Sequence, residues 1–101
     1  MTKPLMIGLI GYGNIGAGVV RTLAERAELY RKRLPRGMVL KAVCDKDTTT
    51  KRDAPWDNAK ISADAGAALN DPEIDVVVEL VGGIEPAKTF IQTAIRNKKH
   101  V

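Results

Sequence analysis

The sequence contains little cysteine and few aromatic residues. Cys44 is the single cysteine among 101 residues, which excludes an internal disulfide and a cysteine-based zinc cluster, and no metal site is expected. The aromatic residues are too few and too dispersed to form a base-stacking surface for nucleic acid. They are Tyr12, Tyr30, Trp56 and Phe90.

Long apolar runs are also missing. None approaches the roughly 20 residues of a membrane span, and "MTKPLMIG" lacks the apolar core and cleavage site of a signal peptide, so we expect a cytoplasmic protein without membrane contact. The net charge is +4, but acidic residues are interleaved with basic ones, which argues against a nucleic-acid interface. The length predicts a single domain over residues 1–101.

The apolar pattern predicts alternating strands and helices. "PLMIGLIG" is an unbroken apolar run, typical of a strand buried on both faces. "NIGAGVVRTLAERAELYRKRL" has apolar residues at helical spacing and predicts one long helix, which Pro35 and Gly37 end. A second strand is predicted over Met38 to Cys44. These three elements form a strand–helix–strand unit of the length that a parallel crossover needs.

The second half of the chain continues the alternation. A polar loop precedes a short strand around Ile61, and a short helix follows, for which Ser62 or Asp64 is the candidate cap. "IDVVVELVGG" predicts a strand, and "EPAKTFIQTAIRNKK" predicts a helix with Pro86 in its first turn. The last residues, "HV", look like the beginning of a further strand. The predicted fold is therefore a Rossmann-like, doubly wound parallel α/β sheet of order 3-2-1-4-5, with the last strand cut short.

Three glycines in the pattern G-x-G-x-x-G lie between the first strand and the first helix. Gly11 would allow the tight turn, Gly13 would let a pyrophosphate approach the backbone, and Gly16 would let the helix pack against the strand. The amides around Asn14, Ile15 and Gly16 would then face the phosphates at the positive end of the helix. The pattern predicts dinucleotide binding; the alternative is a tight turn that holds no ligand.

The end of the second strand carries the residues that would distinguish NAD from NADP. Asp45 would accept hydrogen bonds from the ribose hydroxyls and favour NAD, although a solvated acid at the start of a loop is the alternative. Lys46 could instead meet the 2′-phosphate of NADP, and Lys51 and Arg52 add positive charge nearby. The residues leave the choice between NAD and NADP open.

The strand that ends in "ELVGG" should lie beside the first strand, where ligands bind in such sheets. Gly82 and Gly83 would let the backbone approach the cofactor, or would only form a turn before the next helix. Glu79 is a charged residue within an apolar strand, so its side chain should have a hydrogen-bonding partner or face the cleft. A paired structural role is favoured over a catalytic one for Glu79, and His100 is expected to be exposed rather than catalytic.

The chain resembles the amino-terminal half of homoserine dehydrogenase in "IGLIGYGNIGAGVVRTL", "LKAVCDKD" and "DPEIDVVVELVGGIEPAKTFIQTAIRNKKHV". The resemblance implies an oxidoreductase of threonine and methionine biosynthesis that interconverts aspartate 4-semialdehyde and homoserine with NADPH or NADH. It also implies that Gly11, Gly13, Asn14, Ile15 and Gly16 hold the pyrophosphate. The alternatives are the cofactor domain of another NAD(P)-dependent dehydrogenase and a stand-alone dinucleotide-sensing module.

The chain departs from the family pattern in two places. Many members carry an arginine where this chain has Cys44, which weakens an NADP assignment. In the family a "TANK" segment with an active-site lysine follows "KKHV", and the substrate domain and most homodimer contacts lie beyond it. We therefore expect no catalytic residue in this chain, no activity from it alone, and a substrate and a homo-oligomer only for the full-length enzyme.

Overall fold

The computed structural model describes residues 3–34, 36–81 and 84–101. Within them a four-stranded sheet is flanked by helices, in the order β1 to β4 and α1 to α4 along the chain. The strands are β1 Leu5–Ile10, β2 Met38–Cys44, β3 Ile61–Ser62 and β4 Val76–Glu79. The helices are α1 Asn14–Glu25, α2 Ala27–Arg33, α3 Gly66–Leu69 and α4 Ile84–Arg96, with a short 3-10 turn at Asn58–Lys60.

The strand order confirms the doubly wound fold. The order is β3-β2-β1-β4, and the strand pairs β1–β2, β1–β4 and β2–β3 are all parallel. The predicted fifth strand is reduced to one parallel bridge between His100 and Val76. There the His100 N–H donates to the Asp75 carbonyl at 3.0 Å and the Val77 N–H donates to the His100 carbonyl at 2.8 Å. The sheet of the described residues thus has four strands rather than five, because an isolated bridge does not make a strand.

Two cores on opposite faces of the sheet explain the unbroken apolar runs. Successive strand side chains alternate between faces, and Leu9 and Val43 pack on the face covered by α1, whereas Ile10 and Cys44 pack on the face covered by α3 and α4. Each strand is therefore apolar at every position that is buried, without the polar alternation of a half-exposed strand.

The first helix differs from its prediction. The structure has two helices in place of one, because Arg26 leaves the helical conformation at φ −109° and ψ 16°. The hydrogen bonds nevertheless continue past the break, since the Arg26 N–H donates to Thr22 and the Tyr30 N–H donates to Arg26. Neither glycine nor proline stands there, so the sequence carried none of the usual signals for a break.

Lys99 fixes the chain where α4 returns to the sheet. Its side chain is about nine-tenths buried, and its ammonium group donates to the carbonyls of Asp71 at 2.6 Å and Ile74 at 2.8 Å. A buried ammonium group is tolerated when it is hydrogen-bonded in this way. These hydrogen bonds connect the end of α4 to the turn that precedes β4.

The C-terminal end of α4 has a strained residue. Lys98 has a φ of 60°, in the left-handed region that suits glycine. Its N–H donates to the Ile95 carbonyl and the Lys99 N–H donates to the Ala94 carbonyl, the pair of bonds typical of a helix C-cap that glycine usually completes.

Replacing Lys98 by glycine should therefore stabilise the chain. We expect Lys98→Gly to raise the free energy of unfolding by about 0.5–1 kcal/mol, because it removes the Cβ from a left-handed residue. Urea denaturation measures the change, and Lys98→Ala, which removes the charge but keeps the Cβ, is the matched control. A glycine variant no more stable than the alanine variant contradicts the expectation.

Candidate functional site: a cleft at the carboxyl ends of the strands

A cleft of about 550 Å³ opens where the parallel strands end. In open α/β sheets ligands bind at this edge, where the strand order reverses. Four of the residues predicted to bind the cofactor line it, Gly11, Gly13, Asp45 and Lys46. The other lining residues are Ile10, Cys44, Ala63, Asp64, Ala65, Leu80, Val81, Pro86 and Phe90.

The glycine loop forms one wall of the cleft, and the local structure explains two of its three glycines. Gly11 has a φ of 104°, and a Cβ there would lie 2.8 Å from the Leu80 backbone, so both conformation and space require glycine. At Gly16 a Cβ would overlap the Gly11 carbonyl oxygen, so this glycine lets α1 pack against the loop. Gly16 is buried there and does not line the cleft.

Gly13 is the exception among the three glycines. A Cβ built at Gly13 meets no atom of the described residues within 4 Å, although Gly13 lines the cleft. The protein itself therefore gives no reason for glycine here, whereas a pyrophosphate lying against the backbone would. The open space at Gly13 therefore has room for the pyrophosphate of a dinucleotide.

The first turn of α1 supplies the donors for phosphate. The helix begins at Asn14 directly after Gly13, and the first amides of a helix have no carbonyl partner within it. Asn14 and Ile15 are exposed, with Ile15 at 73%. An anion placed against this turn would meet free N–H groups and the positive end of the helix dipole.

Asp45 is held firmly at the end of β2. Its Oδ2 accepts the Tyr12 N–H at 2.6 Å, and its Oδ1 accepts the Asp47 N–H at 2.8 Å. The first bond joins the acid directly to the glycine loop. Each oxygen of this carboxylate still has a free lone pair for a ribose hydroxyl, and the ribose contact of Asp45 stays a prediction.

The loop after β2 is fixed against α1. Arg21 donates to the Asp53 carbonyl at 2.6 Å, and Trp56 packs with Tyr12 against the core on the α1 side of the sheet. The Tyr12 hydroxyl and the Trp56 indole N–H are buried there without a hydrogen-bond partner among the described residues. Burial raises the pKa of the Tyr12 hydroxyl.

The sequence also singled out Glu79, His100, Gly82 and Gly83. Glu79 has a structural partner, because its Oε1 accepts the Val81 N–H at 2.6 Å. His100 is exposed and lies at the opposite end of β4, beside Val76. Gly82 and Gly83 lie outside the described residues, so their place in the cofactor site stays a prediction.

Sequence analysis missed one side of the cleft. Ala63, Asp64 and Ala65 line it between β3 and α3, but Asp64 was considered only as a helix cap. Its Oδ1 accepts the Gly66 N–H at 2.8 Å, and Ser62 Oγ accepts the Asp64 N–H at 3.1 Å. The N-cap residue of α3 is nevertheless Ala65, which makes no side-chain hydrogen bond, so the predicted cap at Ser62 or Asp64 is wrong. The usable signal was that β3 ends at the same edge of the sheet as β2.

The described residues contain neither a metal-binding cluster nor a membrane-spanning helix. In residues 3–34, 36–81 and 84–101, no group of three or more His, Cys, Asp or Glu side chains is arranged to hold a metal ion. Across the same ranges no helix is long and apolar enough to cross a membrane.

The fold, the glycine loop and the fixed acid define a dinucleotide-binding domain of the Rossmann class. Residues 11–101 match the family model described as the NAD-binding domain of homoserine dehydrogenase. The chain belongs to this family. This membership sets aside the alternative of a cofactor domain from a different dehydrogenase family.

Individual relatives agree with the family match. The chain is 31% identical to homoserine dehydrogenase of Bacillus subtilis and 35% identical to that of Methylobacillus glycogenes. Both alignments cover 98% of this chain. A crystal structure of homoserine dehydrogenase from S. aureus superposes with a TM-score of 0.89 at 36% identity, covering 99% of this chain and 26% of that one. The chain spans about a quarter of the length of these relatives, 23% and 24% of the two curated ones.

Cys44 at the cleft wall should be chemically inert. Burial raises the pKa of its thiol to about 11, and the thiolate is the reactive form. At pH 8 we expect iodoacetamide to alkylate the native chain far more slowly than the same chain in urea. The neutral thiol also stabilises the fold below its unfolded pKa of about 9, and this contribution is lost as the pH rises towards 11. Equal alkylation rates in the native and unfolded chains would show that the thiol is not buried.

Proposed function

We propose that this chain is the cofactor-binding domain of a homoserine dehydrogenase and that residues 1–101 fold as one such domain. The observation that carries the proposal is the open space at Gly13, in a loop whose other two glycines, Gly11 and Gly16, are explained by the protein's own packing. Gly11, Gly13, Asn14, Ile15 and Gly16 would form the pyrophosphate loop, with Gly16 acting through its packing. Asp45 would accept the ribose hydroxyls, Lys46 would lie beside them, and Gly82 and Gly83 would border the cofactor.

The chemistry divides between the cofactor and the protein. NADH or NADPH supplies the hydride that reduces aspartate 4-semialdehyde to homoserine, and a proton completes the alcohol. This chain's part is to bind and orient: the first turn of α1 neutralises pyrophosphate charge, and the apolar wall of Leu80, Val81 and Phe90 excludes water from one side of the cleft.

The remaining assignments concern the parent enzyme. We propose that it works in the cytoplasm as a homo-oligomer and acts on a small-molecule substrate without binding nucleic acid or a membrane. The relatives named homoserine dehydrogenase support the reaction. A role in threonine and methionine biosynthesis follows from that activity.

Substitution at Gly13 tests the pyrophosphate loop. We expect Gly13→Ala to fold normally and to bind NAD⁺ and NADP⁺ at least about ten-fold more weakly, because the added methyl group occupies the space of the pyrophosphate. Calorimetric titration measures the affinity, and circular dichroism verifies the fold.

Gly18→Ala is the matched control. Gly18 lies inside α1, where a Cβ makes ordinary contact with Arg21 at 3.7 Å, so this variant should bind as the wild type does and gain stability from helix propensity. Unchanged binding by Gly13→Ala would contradict the proposed loop. Absence of binding by the folded wild-type chain would overturn the proposed function.

We further expect that the 101-residue chain binds the cofactor but does not oxidise homoserine. Hydride transfer also needs an acid–base group and a substrate pocket, and the chain spans only about a quarter of its relatives. Absorbance at 340 nm with homoserine and NAD⁺ or NADP⁺ measures the rate, and a full-length homoserine dehydrogenase serves as the positive control. Homoserine-dependent reduction by the pure chain would contradict the expectation.

A further inference from the structure

The ionisable side chains that line the cleft are predominantly acidic. Of the described residues lining it, Asp45 and Asp64 carry negative charge and Lys46 alone carries positive charge. NAD and NADP differ by a 2′-phosphate, which carries about −1.5 to −2 charges at neutral pH, as phosphomonoesters do. The charge of the residues that line the cleft near the ribose therefore affects the choice between NAD and NADP, which the sequence left open.

The first carboxylate cannot turn away from a phosphate without cost. Both oxygens of Asp45 accept backbone N–H groups, from Tyr12 at 2.6 Å and from Asp47 at 2.8 Å. Rotation of the side chain would break the exposed bond from Asp47 and leave the Tyr12 N–H unpaired in a part-buried setting, which is unfavourable. Asp45 is thus held as an acceptor in the cleft, and a bound phosphate would face its full charge.

The second carboxylate, that of Asp64, follows the neighbouring strand β3. The Asp45 N–H donates to the Ser62 carbonyl at 2.9 Å, so the end of β3 lies directly beside the end of β2. Asp64 follows two residues later and lines the cleft, with its Oδ1 held by the Gly66 N–H at 2.8 Å. Two negative charges therefore line the cleft just beyond the ends of the adjacent strands β2 and β3.

The cations of the following loop do not offset this charge. Arg52 Nη2 lies 3.9 Å from Asp47 Oδ2, and hydrogen bonds from Thr50 and Thr49 hold the pKa of Asp47 well below its usual range, so Asp47 stays charged at neutral pH. Arg52 is thus already beside an acid, and neither it nor Lys51 lines the cleft. Cys44, where many family members carry arginine, is neutral and buried.

We propose that Asp64 is a specificity-determining residue that acts with Asp45 to repel a 2′-phosphate, so that this cleft prefers NAD(H) to NADP(H). The inference rests on the proposed dinucleotide-binding function and adds to it the identity of the cofactor. Asp45 accepts the ribose hydroxyls, and Asp64 contributes charge without replacing that contact.

The test is a pair of aspartate-to-asparagine variants titrated calorimetrically with NAD⁺ and NADP⁺. Asp64→Asn removes the charge and keeps an oxygen to accept the Gly66 N–H. The matched control is Asp57→Asn, because Asp57 caps the 3-10 turn through the Ala59 N–H at 3.0 Å, is exposed and does not line the cleft. Both variants change the net charge of the chain by the same amount.

We expect the wild-type chain to bind NAD⁺ more tightly than NADP⁺. Asp64→Asn should raise the affinity for NADP⁺ about three- to ten-fold, the size expected for one charge facing a phosphate across partly screened solvent. Its affinity for NAD⁺ should stay within about two-fold of the wild type. Asp57→Asn should leave both affinities unchanged, and added salt should narrow the difference in the wild type.

Two results would overturn the inference while the proposed function stands. One is tighter binding of NADP⁺ than of NAD⁺ by the wild-type chain. The other is an Asp64→Asn variant whose NADP⁺ affinity matches that of Asp57→Asn. Binding of neither dinucleotide by the folded wild-type chain overturns the proposed function itself, and this inference with it.

Discussion

The contact on which the site depends is the hydrogen bond from the Tyr12 N–H to Asp45 Oδ2, 2.6 Å long. It joins the turn after β1 to the end of β2, and the Gly11 N–H strengthens the same junction by donating to the Cys44 carbonyl at 2.8 Å. Because Gly11 and Gly13 flank Tyr12, one bond sets both the path of the glycine loop and the orientation of the acid. The parts that would meet pyrophosphate and ribose are thereby positioned together before any ligand arrives.

Packing below the site supports the same junction. Tyr12 is 1% exposed and lies in the core between β1, β2 and α1, and Trp56 from the loop after β2 packs against the same core. The Gly16 position lets α1 approach the Gly11 carbonyl closely. The rigid framework therefore lies beneath the cleft, and the residues offered to a ligand lie on its surface, as pre-organised binding requires.

Much of this could be predicted from the sequence, for identifiable physical reasons. The apolar run of β4 and the second strand over Met38 to Cys44 follow from burial on both sheet faces, and the glycine spacing locates the loop because Gly11 needs a positive φ. The break at Arg26 could not be predicted, since it has no proline or glycine and the hydrogen bonds continue across it. Asp64 was missed as a cleft residue because its turn bond to the Gly66 N–H explains it locally, whereas its place near the end of β2 depends on strand order.

The central claim is that a dinucleotide binds along the glycine loop and the end of β2. The most direct measurement is a titration of the ¹⁵N-labelled chain with NAD⁺, followed through its backbone amide resonances. The account predicts that the shifts concentrate on Tyr12, Gly13, Asn14, Ile15 and Asp45, with residues at the amino ends of the strands, such as Arg36 and His100, unaffected. Shifts centred on Arg36 and His100, with the glycine loop unchanged, would contradict it.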